Sequence, residues 1–66
     1  MDKREHYFQM AQELRRAMDA YHYEAMANNT SVHPNWYVLM NQLEKVIRNY
    51  RAYCRRHGLE YHHNDI

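Results

Sequence analysis

Only two residues in this chain break helices strongly, Pro34 and Gly58, and they bracket or follow long stretches that nothing else interrupts. One glycine and one proline leave little material for β-hairpin turns or for the glycine-rich loops that cradle phosphate, so β-rich and P-loop classes are not expected. The apolar residues then repeat with the helical period. Tyr7, Ala11, Leu14, Met18, Tyr21 and Ala25 recur at alternating steps of four and three, with Met10, Ala17 and His22 widening the stripe. Beyond Pro34, the residues Trp36, Leu39, Met40, Leu43, Val46, Ile47, Tyr50 and Cys54 fall in one band.

The punctuation between these stripes is local and specific. Asp2 followed by Glu5 resembles a capping pair at the start of a first helix. Asn28, Asn29, Thr30 and Ser31 compete for backbone hydrogen bonds and end it. Pro34 suits the first turn of the next helix, with Ser31 or His33 as its cap. Arg55, Arg56 and His57 complement the negative C-terminal dipole, Gly58 takes a left-handed cap, and Leu59 folds back on the last turn. The predicted organisation is a single domain over residues 1–66: a helix over about 2–28, a loop over 29–33, a helix over about 34–57 and a tail over 58–66, loose from residue 60 on. A loop this short forces the helices antiparallel, so the fold class is all-α, a two-helix hairpin.

A chain of 66 residues buries only about 60% of the surface its unfolded form exposes. Leu, Ile, Val and Phe number ten, and seven Tyr, five Met, six Ala and Trp36 supply the missing apolar area. Two helices sharing one seam leave the outer half of each apolar band wet, with Phe8, Met26, Tyr37 and Tyr53 on the flanks. Pairing two hairpins into a homodimeric four-helix bundle is the economical remedy.

Composition also narrows the chemistry. Cys54 is the only cysteine, which rules out an intramolecular disulfide and points to a reducing compartment. The start of the chain has no apolar run, so no signal peptide or membrane span is expected and a cytoplasmic location is the default. His57, Glu60, His62, His63 and Asp65 are metal-ligand types without a rigid spacing, and Cys54 sits at the centre of an apolar stripe. Neither suggests a metal site, a cofactor or a catalytic residue, and two helices offer no enclosed pocket. An enzyme with its own small-molecule site is not expected.

Surfaces are the remaining source of function. Arg48, Arg51 and Arg55 follow at steps of three and four, with Tyr37 and Glu44 in line above them and Lys45 and Arg56 beside them. Tyr23 lies about 160° from the centre of its stripe, beyond reach of an intramolecular core. Tyr and Arg are enriched at protein interfaces, so Tyr23, Tyr37, Arg48, Arg51, Tyr53 and Arg55 are the predicted contacts to a larger protein, which the chain would serve as a small regulator or inhibitor. The alternative is nucleic-acid binding through Lys45, Arg48, Arg51, Arg55 and Arg56, against which the net charge of +1 weighs.

Residues 10–53 also resemble the small helix-hairpin aspartyl-phosphate phosphatases that act on sporulation response regulators. Leu14-Arg15-Arg16-Ala17-Met18 matches the first-helix pattern of that family, and Met40-Asn41-Gln42-Leu43-Glu44 with Val46-Ile47 and Tyr50 stands where its second-helix motif belongs. Met40 replaces a Ser, Asn41 a Gln and Glu44 an Asp. The resemblance implies that Asn41 or Gln42 positions water for attack on a partner's phosphoryl group, with Glu44 holding it. A fainter likeness joins Pro34 to Gly58-Leu59, since some phage terminase small subunits end in a proline-led helix closed by Gly-Leu.

Overall fold

The computed structural model describes residues 2–61. Helix α1 runs Arg4–Asn28 and helix α2 runs Asn35–His57, antiparallel and in contact along their length. Together they form a rod of 45 × 17 × 16 Å. Among the described residues no helix is long and apolar enough to cross a membrane.

Each helix end is made by the residues that sequence reading singled out, with shifts of one or two positions. α1 begins two residues later than expected. Asp2 does not form a capping box with Glu5; its carboxylate accepts from the Arg4 backbone N–H at 2.9 Å and from Arg4 Nε at 2.8 Å. At the other end Asn29 adopts the left-handed conformation (φ 52°, ψ 45°), and the Thr30 N–H donates to the Ala25 carbonyl at 2.9 Å. Asn tolerates this region because its short polar side chain adds little steric penalty. Neither cap candidate for α2 holds the N-cap position, which is Pro34; His33, just before it, accepts from the Asn35 N–H with its Nδ1 at 3.0 Å. Gly58 (φ 63°) closes α2, and the Leu59 N–H reaches back to the Cys54 carbonyl at 2.8 Å.

The core is unevenly distributed. Ala11, Ala25 and Val46 are buried along the seam, whereas Tyr50, Tyr53 and Cys54 form a cluster at the end where the start of α1 lies beside the end of α2. Tyr7, Phe8, Leu59 and Tyr61 pack against that cluster. The Tyr7 ring lies 5.7 Å from Tyr53 and 6.0 Å from Tyr50, and Tyr61 meets Tyr50 edge-on at 4.8 Å. Aromatic rings bury large areas per residue, which is how a chain poor in aliphatics closes its open end.

Three expectations are corrected by the packing. Tyr53, read as a flank residue presented to a partner, is buried within the hairpin. Its hydroxyl accepts the backbone N–H of Lys3 at 2.9 Å, so the segment leading into α1 passes over it. Glu60 and Tyr61, read as the start of a loose tail, fold back: the Glu60 carbonyl accepts from Arg4 Nη1 at 3.3 Å and from the Cys54 thiol at 3.7 Å. His62, His63, Asp65 and the rest of the expected tail lie outside the described residues. Phe8, placed on the flank by periodicity, also joins the terminal cluster.

Candidate protein-interaction surfaces

The hairpin has two broad faces, one on either side of the seam, and they differ in chemistry. On one, Met10 and Leu14 of α1 meet Val46 of α2 across a shallow cleft of about 420 Å³, with Glu13 on the α1 rim and Gln42 and Lys45 on the α2 rim. On the other, Met18 and His22 of α1 face Trp36 and Leu43 of α2, rimmed by Arg15 and Asp19. Toward this second side, on the outer surface of α2, Arg48, Arg51 and Arg55 line a groove with Glu44, Ile47 and Ala52.

These placements sort the predicted residues. Arg48, Arg51 and Arg55 are exposed and share one groove, as steps of three and four along a helix require. Arg51 also lies with its guanidinium carbon 5.8 Å from the centre of the Tyr61 ring, an arrangement in which the ring face attracts the cation. Tyr37 is 57% exposed and Tyr23 68% exposed, each too far from the seam to be covered by the other helix. Tyr53 does not belong with them.

The five residues of the nucleic-acid reading are not brought onto one surface. Lys45, about 60° around α2 from Arg48, lines the Met10–Leu14 cleft and not the arginine groove, and Arg56 lies about 100° around α2 from Arg55. The residues implied by the phosphatase resemblance are separated in the same way: Gln42 lines the cleft, Glu44 lies among the arginines, and Asn41 is exposed between those bearings. Among the described residues no three metal-ligating side chains converge.

Sequence reading passed over the Met10–Leu14–Val46 cleft itself. Its signal was available, since Met10 was placed at the edge of the α1 stripe and Val38 follows the same side of α2 one turn before Gln42. Both remain exposed, at 39% and 53%.

Cys54 is the one nucleophile of note, and it is covered. It is 2% exposed, and burial pushes its thiol above the usual range, the nearby Arg4 opposing that shift. Arg55, its neighbour in sequence, is exposed on the outer side. A thiol held neutral and out of solvent is a packing group.

Comparison of the chain with protein-family models, curated proteins and solved structures finds no match.

Proposed function

We propose that this hairpin is a protein-binding module, a small regulator or inhibitor that docks the outer side of α2 on a larger protein and pairs with a second copy into a four-helix bundle. The observation that carries the docking reading is the shared bearing of exposed Tyr37 with the groove of Arg48, Arg51 and Arg55. Arg and Tyr present large contact area and directional donors, and they recur as energetic anchors of interfaces. Tyr23, exposed on α1, extends the same kind of surface. A rigid helix face is the recognition element that a chain of this size can offer, and an acidic surface with apolar edges is the complement such a ridge suits.

The test is capture by the immobilised full chain, compared with Tyr37→Ser and with the double variant Arg48→Glu/Arg55→Glu. All three positions are exposed, so these changes leave the fold within about 0.5 kcal/mol of its original stability. A protein held by the unaltered chain and bound at least about tenfold more weakly by both variants supports the reading. Capture indifferent to both variants refutes it.

Nucleic-acid binding is the second reading, favoured by three arginines lining one groove. Contact of those three with phosphates predicts a slope of about −2.7 in log K against log salt. A flat response, or no complex at low salt, removes it. Glu44 in the same groove and Lys45 outside it both count against it.

A further inference from the structure

The cleft formed by Met10, Leu14 and Val46 is nearly all carbon at its floor and carries opposite charges on its two rims, Glu13 on α1 and Lys45 on α2. Among the described residues neither of these has an ion-pair partner within the chain. We infer that this face is covered by a second copy of the chain, the two hairpins being related by a two-fold axis parallel to the helices. This deepens the pairing proposed above and rests on it, by naming the face and the symmetry.

The symmetry follows from the rims. Rotation by half a turn about an axis parallel to the helices keeps every residue at its height along the rod and exchanges left with right. Helix α1 of one copy then lies over α2 of the other, antiparallel to it. Glu13 and Lys45 line the same stretch of the cleft, so Glu13 of each copy meets Lys45 of the other, twice in the dimer. A two-fold axis across the helices at the level of the cleft would set α1 over α1 and oppose like charges. A surface that carries both halves of its own complement fits itself; a different partner would not require the match.

Area and shape point to the same occupant. The chain exposes 5316 Å². A compact folded chain of 8.2 kDa is expected to expose about 4,500 Å². The excess belongs to the elongated shape, in which each helix is covered on one side only. A rod of 45 × 17 × 16 Å gains a second packed layer only if something equally long lies along it, and a second copy is equally long by construction. Covering the cleft face leaves the arginine groove on the outer surface of the pair, free for the docking proposed above.

The experiment measures the solution mass of the full chain over a concentration series, for the unaltered protein, for Glu13→Lys, for Lys45→Glu, for the doubly exchanged chain and for an equimolar mixture of the two single variants. Helicity is recorded alongside; both positions are exposed, so each variant is expected to fold. The unaltered chain is expected to dimerise. Each single exchange turns two attractions into two repulsions and raises the dissociation constant by roughly tenfold or more. The equimolar mixture and the double exchange restore opposite charges at both contacts and return association to about the original strength. A dimer whose mass profile is unmoved by either single exchange refutes the face and the axis while leaving pairing itself intact. A chain that stays monomeric up to about 100 µM removes pairing as well. Capture through the arginine groove is read in a separate assay, so neither result is confused with failure of docking.

Discussion

Replacing Tyr61 with Ala is expected to convert the silent thiol of Cys54 into a reactive one. The thiol is 2% exposed because the chain beyond Gly58 turns back over it: Leu59 and Tyr61 pack on the Tyr50–Tyr53–Cys54 cluster, and the Glu60 carbonyl accepts from the thiol and from Arg4. What holds that cover down is chiefly the Tyr61 ring, edge-on to Tyr50 at 4.8 Å and under the Arg51 guanidinium at 5.8 Å. Burying a large side chain fully contributes roughly 1.5–3 kcal/mol, and the partly buried Tyr61 gains about two-thirds of that. The aromatic pair adds roughly 0.5–1 kcal/mol. Loss of the ring therefore destabilises the closed turn by about 2 kcal/mol, which raises the open fraction roughly thirtyfold.

The assay is the rate of modification of Cys54 by a thiol reagent under native conditions, where reclosing outpaces labelling and the rate tracks the open population. Tyr23→Ala, at an exposed position near the opposite end of the rod, serves as the control and is expected to change the rate less than about twofold. Labelling through a lifted turn exposes little new surface, so it should hardly respond to low concentrations of urea, whereas labelling through global unfolding should rise steeply. A Tyr61→Ala rate within about twofold of the original would refute the reasoning, since the cover would then contribute nothing to protecting the thiol.

Two further outcomes follow from the same end of the molecule. Burial raises both the Cys54 thiol, against the pull of Arg4, and the Tyr61 phenol, against that of Arg51. Above the unfolded values, near about 8.5 for Cys and about 10 for Tyr, the unfolded chain has released protons that the folded chain still holds, so stability falls as pH rises. The melting temperature should decline from about pH 8.5 upward, and Cys54→Ala should remove the first part of that decline; an identical decline in the variant would exclude the thiol as its source. Gly58→Ala should cost about 1–2 kcal/mol, measured as a fall in the urea midpoint, entirely from the left-handed backbone at φ +63°, because an added Cβ meets nothing within 4 Å. Gly58→Asn should cost less, as Asn29 serves in the same conformation at the end of α1. Equal losses for Ala and Asn would refute the backbone explanation.

The helices were legible because their ends are written in neighbouring residues. Asn29, His33, Gly58 and Leu59 act over spans of one to five positions, and so their chemistry survives without any knowledge of the fold. Tyr53 was not legible. On α2 alone it stands about 60° from Tyr50, a bearing that leaves it at the margin of the band. What settles its burial is the backbone N–H of Lys3, fifty positions away in sequence, and no local pattern announces such a contact. The fold-back of Glu60 and Tyr61 was hidden for the same reason, since it depends on Arg4 and Tyr50. The basic residues are a different case. Their separation could have been read, because consecutive positions on a helix point about 100° apart, and a run of positive charge along the sequence is not a patch on the surface.

The distribution of burial ties these observations to the proposed pairing. At the end where α1 begins and α2 finishes, four aromatic rings, a hydroxyl–backbone bond and the returning chain close the hairpin on itself. At the loop end Tyr21 stacks on His33 at 5.1 Å and accepts from Asn35 Nδ2 at 3.2 Å. Between these two plugs only Ala11 and Val46 are buried, while Leu14, Met18 and Leu43 remain half-buried. Small residues at the contact let the helices approach closely, but a seam one residue wide cannot cover the leucines and methionines on either side of it. The least covered stretch is therefore the middle, and that is where the cleft with its opposed charges lies. A second hairpin laid along that stretch would cover the apolar floor that the first cannot reach, and it would leave undisturbed the two ends that already hold themselves together.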